Sequence, residues 1–240
     1  MDLLFHKLQS FMSKSLLRAV LNRFGIDVVR YNNKQLVYKS LLTKYRDFTM
    51  IPETLFIANL ELGEQVKIEG DFVECGVWRG GMSAAFAETN PHRMIHLFDS
   101  FEGLPLAKEI DGEAALEWQS NKSSENYYDN CTATEDFAHQ AMKLAQLTNY
   151  KVYKGWFEET LRHYNGNPIA ILRLDGDWYE SISTCLRELY PVVSKGGLVL
   201  LDDYYTWDGC ARATHDYLSK TKSSSRIHSW KGVAYIMKND

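Results

Sequence analysis

Apolar positions along this chain repeat in two different ways. Over residues 3–24, Leu4, Leu8, Phe11, Met12, Leu16, Val20, Leu21 and Phe24 fall at helical spacing, and Gly25 follows where a left-handed cap ends a helix. The polar face of that helix carries Lys7, Lys14, Arg18 and Arg23. It is expected to pack on the body of the protein or on a second copy in a homo-oligomer, with a membrane surface as the alternative. From residue 70 the pattern changes to short continuous apolar runs: GDFVECGVW (70–78), MIHLFDSF (94–101), KVYKGWF (151–157), IAILRLDGD (169–177) and GGLVLLDDY (196–204). Helices are predicted between and after them, over 82–89, about 132–147, 179–189 and 209–219. Such an alternation predicts a doubly wound, mainly parallel α/β sheet covered on both faces. At the end, RIHSW (226–230) and GVAYIMK (232–238) are separated only by Lys231, so they predict an antiparallel hairpin closing one edge.

The stretch from 106 to 131, LAKEIDGEAALEWQSNKSSENYYDNC, interrupts this order. It is polar and weakly periodic, which predicts either a disordered excursion or a lid. A capping box, Thr132 with Glu135, is expected to start the helix that follows.

Composition narrows the function classes. The 240 residues are 45% hydrophobic and 24% charged, ordinary for a globular chain, and the net charge of −4 leaves no basic footprint for nucleic acid. Cys75, Cys131, Cys185 and Cys210 are scattered without zinc spacing, which suits free thiols in a reducing compartment. No apolar run approaches the ~20 residues of a membrane span, and the N-terminus has no compact apolar leader. A soluble, cytoplasmic protein is expected.

Chemistry gathers at the predicted carboxyl edge of the sheet. VECGVWRGGMS opens a helix after the first strand, with Gly76, Gly80 and Gly81 able to let backbone approach a ligand. It is not the dinucleotide pattern GxGxxG, and Glu74 beside it would repel a pyrophosphate but attract an amino group. Asp99 ends the second strand, where an acid can hydrogen-bond both ribose hydroxyls. Phe101, Trp156 and Phe157 follow the second and third strands, in place to stack on an adenosine or simply to pack. Asp175 and Asp177 end the fourth strand, and Asp202 and Asp203 end the fifth. Adjacent carboxylates repel, so either they face water or a cation such as Mg²⁺ sits between the two strand ends. Arg173, unusual within a buried strand, is expected to pair with a carboxylate.

The phrases DFVECGVWRGG, HLFDSFEGLP, KGWFEETL, LRLDGDWYES and GGLVLLDDY occur in that order between about residues 50 and 218. Together they resemble the macrocin O-methyltransferase family, which methylates sugar hydroxyls of glycosylated natural products with S-adenosylmethionine. The Asp after strand four and the Asp pair after strand five are also similar to Mg²⁺-dependent catechol-type methyltransferases. The resemblance implies a class I methyltransferase fold with seven strands. It divides the chain into an N-terminal helical extension (1–49) and a methyltransferase domain (50–240) with a lid at about 106–131. It assigns Glu74, Gly76, Val77, Trp78 and the turn of Gly80, Gly81, Met82 and Ser83 to the methionine end of the cofactor. Asp99 takes the ribose, while Ser100, Phe101, Trp156 and Phe157 surround the adenosine, with Asp175 also beside the cofactor. Asp175, Asp202 and Asp203 become the metal ligands, and Asp175 the proton acceptor. The acceptor is then a small molecule bearing a hydroxyl, most naturally a sugar. A catechol-type acceptor and a non-catalytic cofactor-binding partner are the alternatives.

Overall fold

In the computed structural model, residues 33–125 and 127–240 are described, with Arg23. The helix expected over 3–24, and any subunit contact through it, lies outside the described residues apart from Arg23. The chain divides into two compact units, Met1–Val37 and Tyr38–Asp240, and the sheet and site belong to the second. No helix among the described residues is long and apolar enough to cross a membrane.

The strands are β1 (Asp71–Cys75), β2 (Ile95–Asp99), β3 (Tyr150–Lys154), β4 (Ile169–Leu174), β5 (Val193–Leu201), β6 (Ile227–Trp230) and β7 (Val233–Met237). They form one sheet in the order β3-β2-β1-β4-β5-β7-β6, parallel through β5 and antiparallel in its last two pairings. The helices are α1 (Asn33–Lys44), α2 (Glu53–Gly63), α3 (Gly81–Thr89), α4 (Glu113–Ser120), α5 (Glu135–Leu144), α6 (Phe157–Thr160), α7 (Tyr179–Leu189) and α8 (Asp208–Thr221).

Continuous apolar runs suit this sheet because side chains alternate faces and both faces are covered. Phe72, Ile171, Leu198 and Leu200 join one buried cluster with Phe56, Leu60 and Phe86. Val73, Leu172, Val199 and Leu201 join the other with Ile182, Cys185 and Leu186. The predicted hairpin forms, and its turn is the pair Lys231 and Gly232, both at positive φ (49° and 92°), the backbone that two-residue hairpins need.

Three expectations are corrected. The five parallel strands end two or three residues earlier than the predicted runs, since the runs continue into the loops that carry the site. The helix after the insertion starts at Glu135 with Thr134 as its N-cap, so Thr132 and Glu135 do not form a capping box. And α2, buried from Phe56 to Gly63 except at Glu61, is a helix that the pattern did not predict.

The insertion is folded. It contains α4 and two single 3₁₀ turns, Glu109–Asp111 and Asp129–Cys131. Gln119 ties it together: its Oε1 accepts from Ala107 N–H (2.7 Å), and its Nε2 donates to the Pro105 carbonyl (2.8 Å) and to Asn130 Oδ1 (2.9 Å). Buried Asp111 accepts from the Tyr179 N–H at the start of α7 (2.7 Å), and Arg212 of α8 donates to the Ile110 carbonyl (2.9 Å).

Candidate active site

A cavity of about 590 Å³ opens at the carboxyl edge of β1, β4 and β5. Neighbouring strands deliver their last residues side by side: Asp175 N–H donates to the Cys75 carbonyl (2.8 Å) and Asp202 N–H to the Leu174 carbonyl (3.0 Å). Gly76 sits in that crowding at φ +89°, where an added Cβ would lie 1.6 Å from the Asp175 carbonyl oxygen. No other residue fits there.

Of the residues expected to hold the cofactor, Gly76, Trp78, Asp99, Ser100, Trp156, Phe157 and Asp175 line this cavity. Asp99 fixes the glycine loop. Its Oδ2 accepts from the N–H groups of Val77 (2.7 Å) and Trp78 (2.9 Å), and its Oδ1 from Phe101 N–H (2.6 Å). Burial pushes its carboxyl up while those three amides pull it down. Oδ2 is filled by its two amides, and Oδ1 keeps a lone pair for a ligand hydroxyl.

The remaining expected residues lie behind the wall. Val77, Met82 and Phe101 are packed in the core. Gly80 caps α3 at φ +83°, and Gly81 packs so closely that a Cβ would come within 2.6 Å of the Phe48 carbonyl oxygen. Glu74 is buried and does not line the cavity: Ser83 Oγ donates to one of its oxygens and Arg173 to the other (2.6 Å). Burial raises the Glu74 carboxyl, against the pull of Arg173 and Ser83.

Arg173 organises the centre. Its Nη1 donates to Glu74 Oε1 (2.6 Å) and Asp175 Oδ2 (2.7 Å), and its Nη2 lies 2.5 Å from Asp202 Oδ1. Burial works against the guanidinium charge, but Asp202, Asp175 and Glu74 outweigh it and hold the side chain charged. The expected pairing of Arg173 is thus threefold.

Asp202 and Asp203 point to different partners. Asp203 faces Asp175 and Asp177, and oxygens of these three carboxylates all lie within 4.8 Å of one another. Asp177, which the sequence placed at the same strand end without a ligand role, therefore stands where Asp202 was expected. Asp177 N–H donates to Asp203 Oδ2 (3.1 Å), and Trp207 Nε1 donates to Asp177 Oδ1 (2.8 Å). Burial raises Asp175 and Asp203 well above the usual carboxylate range; Arg173 opposes this at Asp175, and the neighbouring aspartates add to it at both. Asp177 is pushed up to about 7, first by burial. Three carboxylate oxygens at this spacing, from half-buried Asp175 and Asp177 and buried Asp203, suit a hard divalent cation that leaves positions open for substrate oxygens.

Sequence reasoning assigned no role to Trp118, Trp178 or Trp207, which pack edge to face beside the carboxylates. Met50 also lines the cavity, whereas Tyr45 is buried against Glu88. His139 is bonded to Tyr150 (2.9 Å) outside it.

Comparison with known proteins agrees with this geometry. Residues 52–236 match the family described as Macrocin-O-methyltransferase (TylF). An 8-demethyl-8-(2,3-dimethoxy-alpha-L-rhamnosyl)-tetracenomycin-C 4'-O-methyltransferase of Streptomyces olivaceus is 32% identical over 72% of this chain and 67% of its own length. The demethyldecarbamoylnovobiocin O-methyltransferase of Streptomyces niveus is 35% identical over 64% of this chain and 60% of its own. Among solved structures, the O-methyltransferase NovP superposes with a TM-score of 0.69 at 27% identity, covering 80% of this chain and 83% of that one. The calicheamicin methyltransferase CalS11, at 20% identity and a TM-score of 0.59 over 88% of this chain and 95% of that one, shares the fold. With the family match spanning most of its length, the chain belongs to the macrocin O-methyltransferase family of S-adenosylmethionine-dependent methyltransferases.

Proposed function

We propose that this protein transfers the methyl group of S-adenosylmethionine to a hydroxyl of a sugar on a glycosylated natural product, with a divalent cation such as Mg²⁺ in the site. The observation that carries the reading is one cavity bordered by both halves of the chemistry. Gly76, Asp99, Trp156 and Phe157 stand on the cofactor side, and Asp175, Asp177 and Asp203 gather at its floor. Sugar-modifying relatives support the acceptor class.

The chain's part is to align and to accept a proton. Gly76 lets the cofactor approach the backbone, Asp99 offers Oδ1 to its ribose, and the flat side chains of Trp156 and Phe157 border its base. The acceptor oxygen attacks the methyl carbon as the carbon–sulfur bond breaks, and its proton passes to Asp175, which burial makes more basic than an ordinary carboxylate. Arg173 holds that carboxylate by one oxygen and leaves the other toward the site. Alignment of this kind is worth up to ~7–11 kcal/mol. A cation bound by Asp175, Asp177 and Asp203 would supply Lewis-acid polarisation of the hydroxyl.

The test is a methyl-transfer assay with labelled S-adenosylmethionine against a panel of glycosides, with and without EDTA. Transfer that EDTA abolishes and Mg²⁺ restores is expected, as is its loss in Asp175→Asn. Undiminished transfer in EDTA removes the cation, and transfer only to catechols removes the sugar.

A further inference from the structure

The loops after β4 and β5 hold each other by two hydrogen bonds that run in opposite directions. The Asp177 N–H, after β4, donates to Asp203 Oδ2 (3.1 Å). The Trp207 indole N–H, after β5, donates back to Asp177 Oδ1 (2.8 Å). Asp177 thus gives its backbone donor to one carboxylate of the cluster and receives an indole on its own. Its backbone is left-handed (φ 55°), a conformation that Asp tolerates better than most residues but keeps only where its surroundings hold it. With Oδ1 engaged, the indole sets the plane of the carboxylate.

Trp207 can do this because its own place is fixed. Its N–H and that of Thr206 both donate to the Asp203 carbonyl (2.9 Å each), closing the turn DYYTW between β5 and α8. Its ring packs edge to face on Trp178 (5.3 Å between ring centres) and on Trp118 (6.0 Å), which helix α4 of the insertion brings in. Trp178 is anchored in turn, its indole N–H on the Pro105 carbonyl (2.9 Å). One turn therefore supplies Asp203 to the cluster and, four residues later, the donor that orients Asp177.

An indole nitrogen donates and does not accept, so it steadies a carboxylate without competing for a metal. A ligand already aimed at the site loses less freedom when the cation arrives, and this raises affinity although the orienting group never touches the ion. Resting on the reading that Asp175, Asp177 and Asp203 hold a divalent cation, we propose that Trp207 is a positioning residue for that cation and acts through Asp177. Because Trp207 also lines the cavity, one ring joins the cavity wall to the cation site.

The experiment uses the full chain with Mn²⁺ as the probe, its binding followed by calorimetry and by the paramagnetic resonance signal of the free ion. Trp207→Phe keeps an aromatic ring between Trp118 and Trp178 and lacks the donor. It should bind Mn²⁺ about ten- to a hundredfold more weakly than the wild type, the usual consequence of losing a group that orients a metal ligand. Its affinity for S-adenosylhomocysteine should be unchanged. Trp178→Phe removes the neighbouring indole N–H, the one on Pro105, and should leave Mn²⁺ affinity unchanged whatever it costs in Tm. In proton–nitrogen correlation spectra of the wild type, the Trp207 indole signal, identified by its absence from Trp207→Phe, should move when Mg²⁺ is added to saturation, since its acceptor becomes a metal ligand.

Mn²⁺ binding by Trp207→Phe as tight as by the wild type overturns the proposal. An equal loss in Trp178→Phe overturns it too, because aromatic packing rather than the bond to Asp177 would then be responsible. So does a Trp207 indole signal that ignores Mg²⁺, or a loss of S-adenosylhomocysteine affinity in Trp207→Phe as large as its loss of Mn²⁺ affinity. In each of those cases Mn²⁺ binding by the wild type leaves the cation site standing. A wild-type protein that binds no Mn²⁺ removes the cation reading and this proposal together.

Discussion

Asp177 gives the sharpest test of the carboxylate cluster. Its carboxyl is raised from 3.8 to about 7, by burial first, with Trp207 opposing and Asp202 and Asp99 adding to the rise. Each tenfold in proton affinity is ~1.36 kcal/mol, so ionising Asp177 in the metal-free fold costs about 4 kcal/mol. The folded value lies above the unfolded one, so the protonated group favours the fold. That stability is fully present below pH about 4 and is lost as pH rises through about 7. A cation among Asp175, Asp177 and Asp203 removes the penalty, because it favours the charged form. Scanning calorimetry in EDTA and in Mg²⁺ between pH 5 and 8 should therefore show a metal-induced rise in Tm that is small at pH 5 and largest at pH 8. At ~2–4 °C per kcal/mol for a chain of this size, the full effect is roughly 8–16 °C.

Asp177→Asn isolates the group, since an amide oxygen can still accept from Trp207 Nε1. In EDTA at pH 8 the variant should be more stable than the wild type by up to that amount, and at pH 4 about equal to it. The His96 imidazole slopes the other way. Burial holds it below its ordinary range despite Asp71, so its contribution is present above pH about 6.5 and lost as pH falls. Subtracting variant from wild type cancels that term. Metal-free curves that coincide at pH 8, or a Mg²⁺ shift equal at pH 5 and 8, would refute the assignment of Asp177 to the cluster.

The other expectations can be checked on the same protein. Gly76→Ala must adopt φ +89° and drive a Cβ into the Asp175 carbonyl, so S-adenosylmethionine binding by calorimetry should be lost and the urea midpoint lowered. Asp99→Asn keeps the size of the side chain but loses its charge toward three amides and a ribose, and should weaken cofactor binding by ~1.5–3 kcal/mol; unchanged affinity would remove Asp99 from the cofactor site. Arg173→Met leaves three carboxylates without their counter-charge and should cost about 3–5 kcal/mol in urea unfolding, where a change under 1 kcal/mol would mean that Arg173 is not their anchor.

The sheet was legible because its strands, buried on both faces, leave continuous apolar runs such as FVEC and AILRL, and the hairpin because Lys231-Gly232 leaves no room for more. Helix α2 was not, since it is apolar nearly all round and gives no periodic contrast. The insertion, read as either a disordered excursion or a lid, showed no periodic signal for the opposite reason. Its order comes from side-chain bonds of Gln119 and Asn130 to distant backbone, and such bonds have no period. Gly76 and Asp99 were readable from their places after β1 and β2. Glu74 was misleading: a carboxylate at a strand end suggests a ligand, and its real partner, Arg173, is 99 residues away on the neighbouring strand.

The paired aspartates after β5 show what register adds to sequence. Side chains alternate faces along a strand, and Asp202 still belongs to the ladder, its N–H on the Leu174 carbonyl (3.0 Å). Arg173 and Leu200 are register partners in β4 and β5, so Asp202, two residues beyond Leu200, returns to the face of the guanidinium. Asp203, one residue further, must leave that face, and the turn that begins there carries it to Asp175 and Asp177. Neighbouring carboxylates thus separate, one to the guanidinium built into the sheet and one to the group of Asp175 and Asp177. Asp175 is the member shared by both groups, with one oxygen on Arg173 and a place in the cluster. Under the proposed reaction, a proton acceptor at that junction would be fixed in direction by the arginine before any substrate arrives.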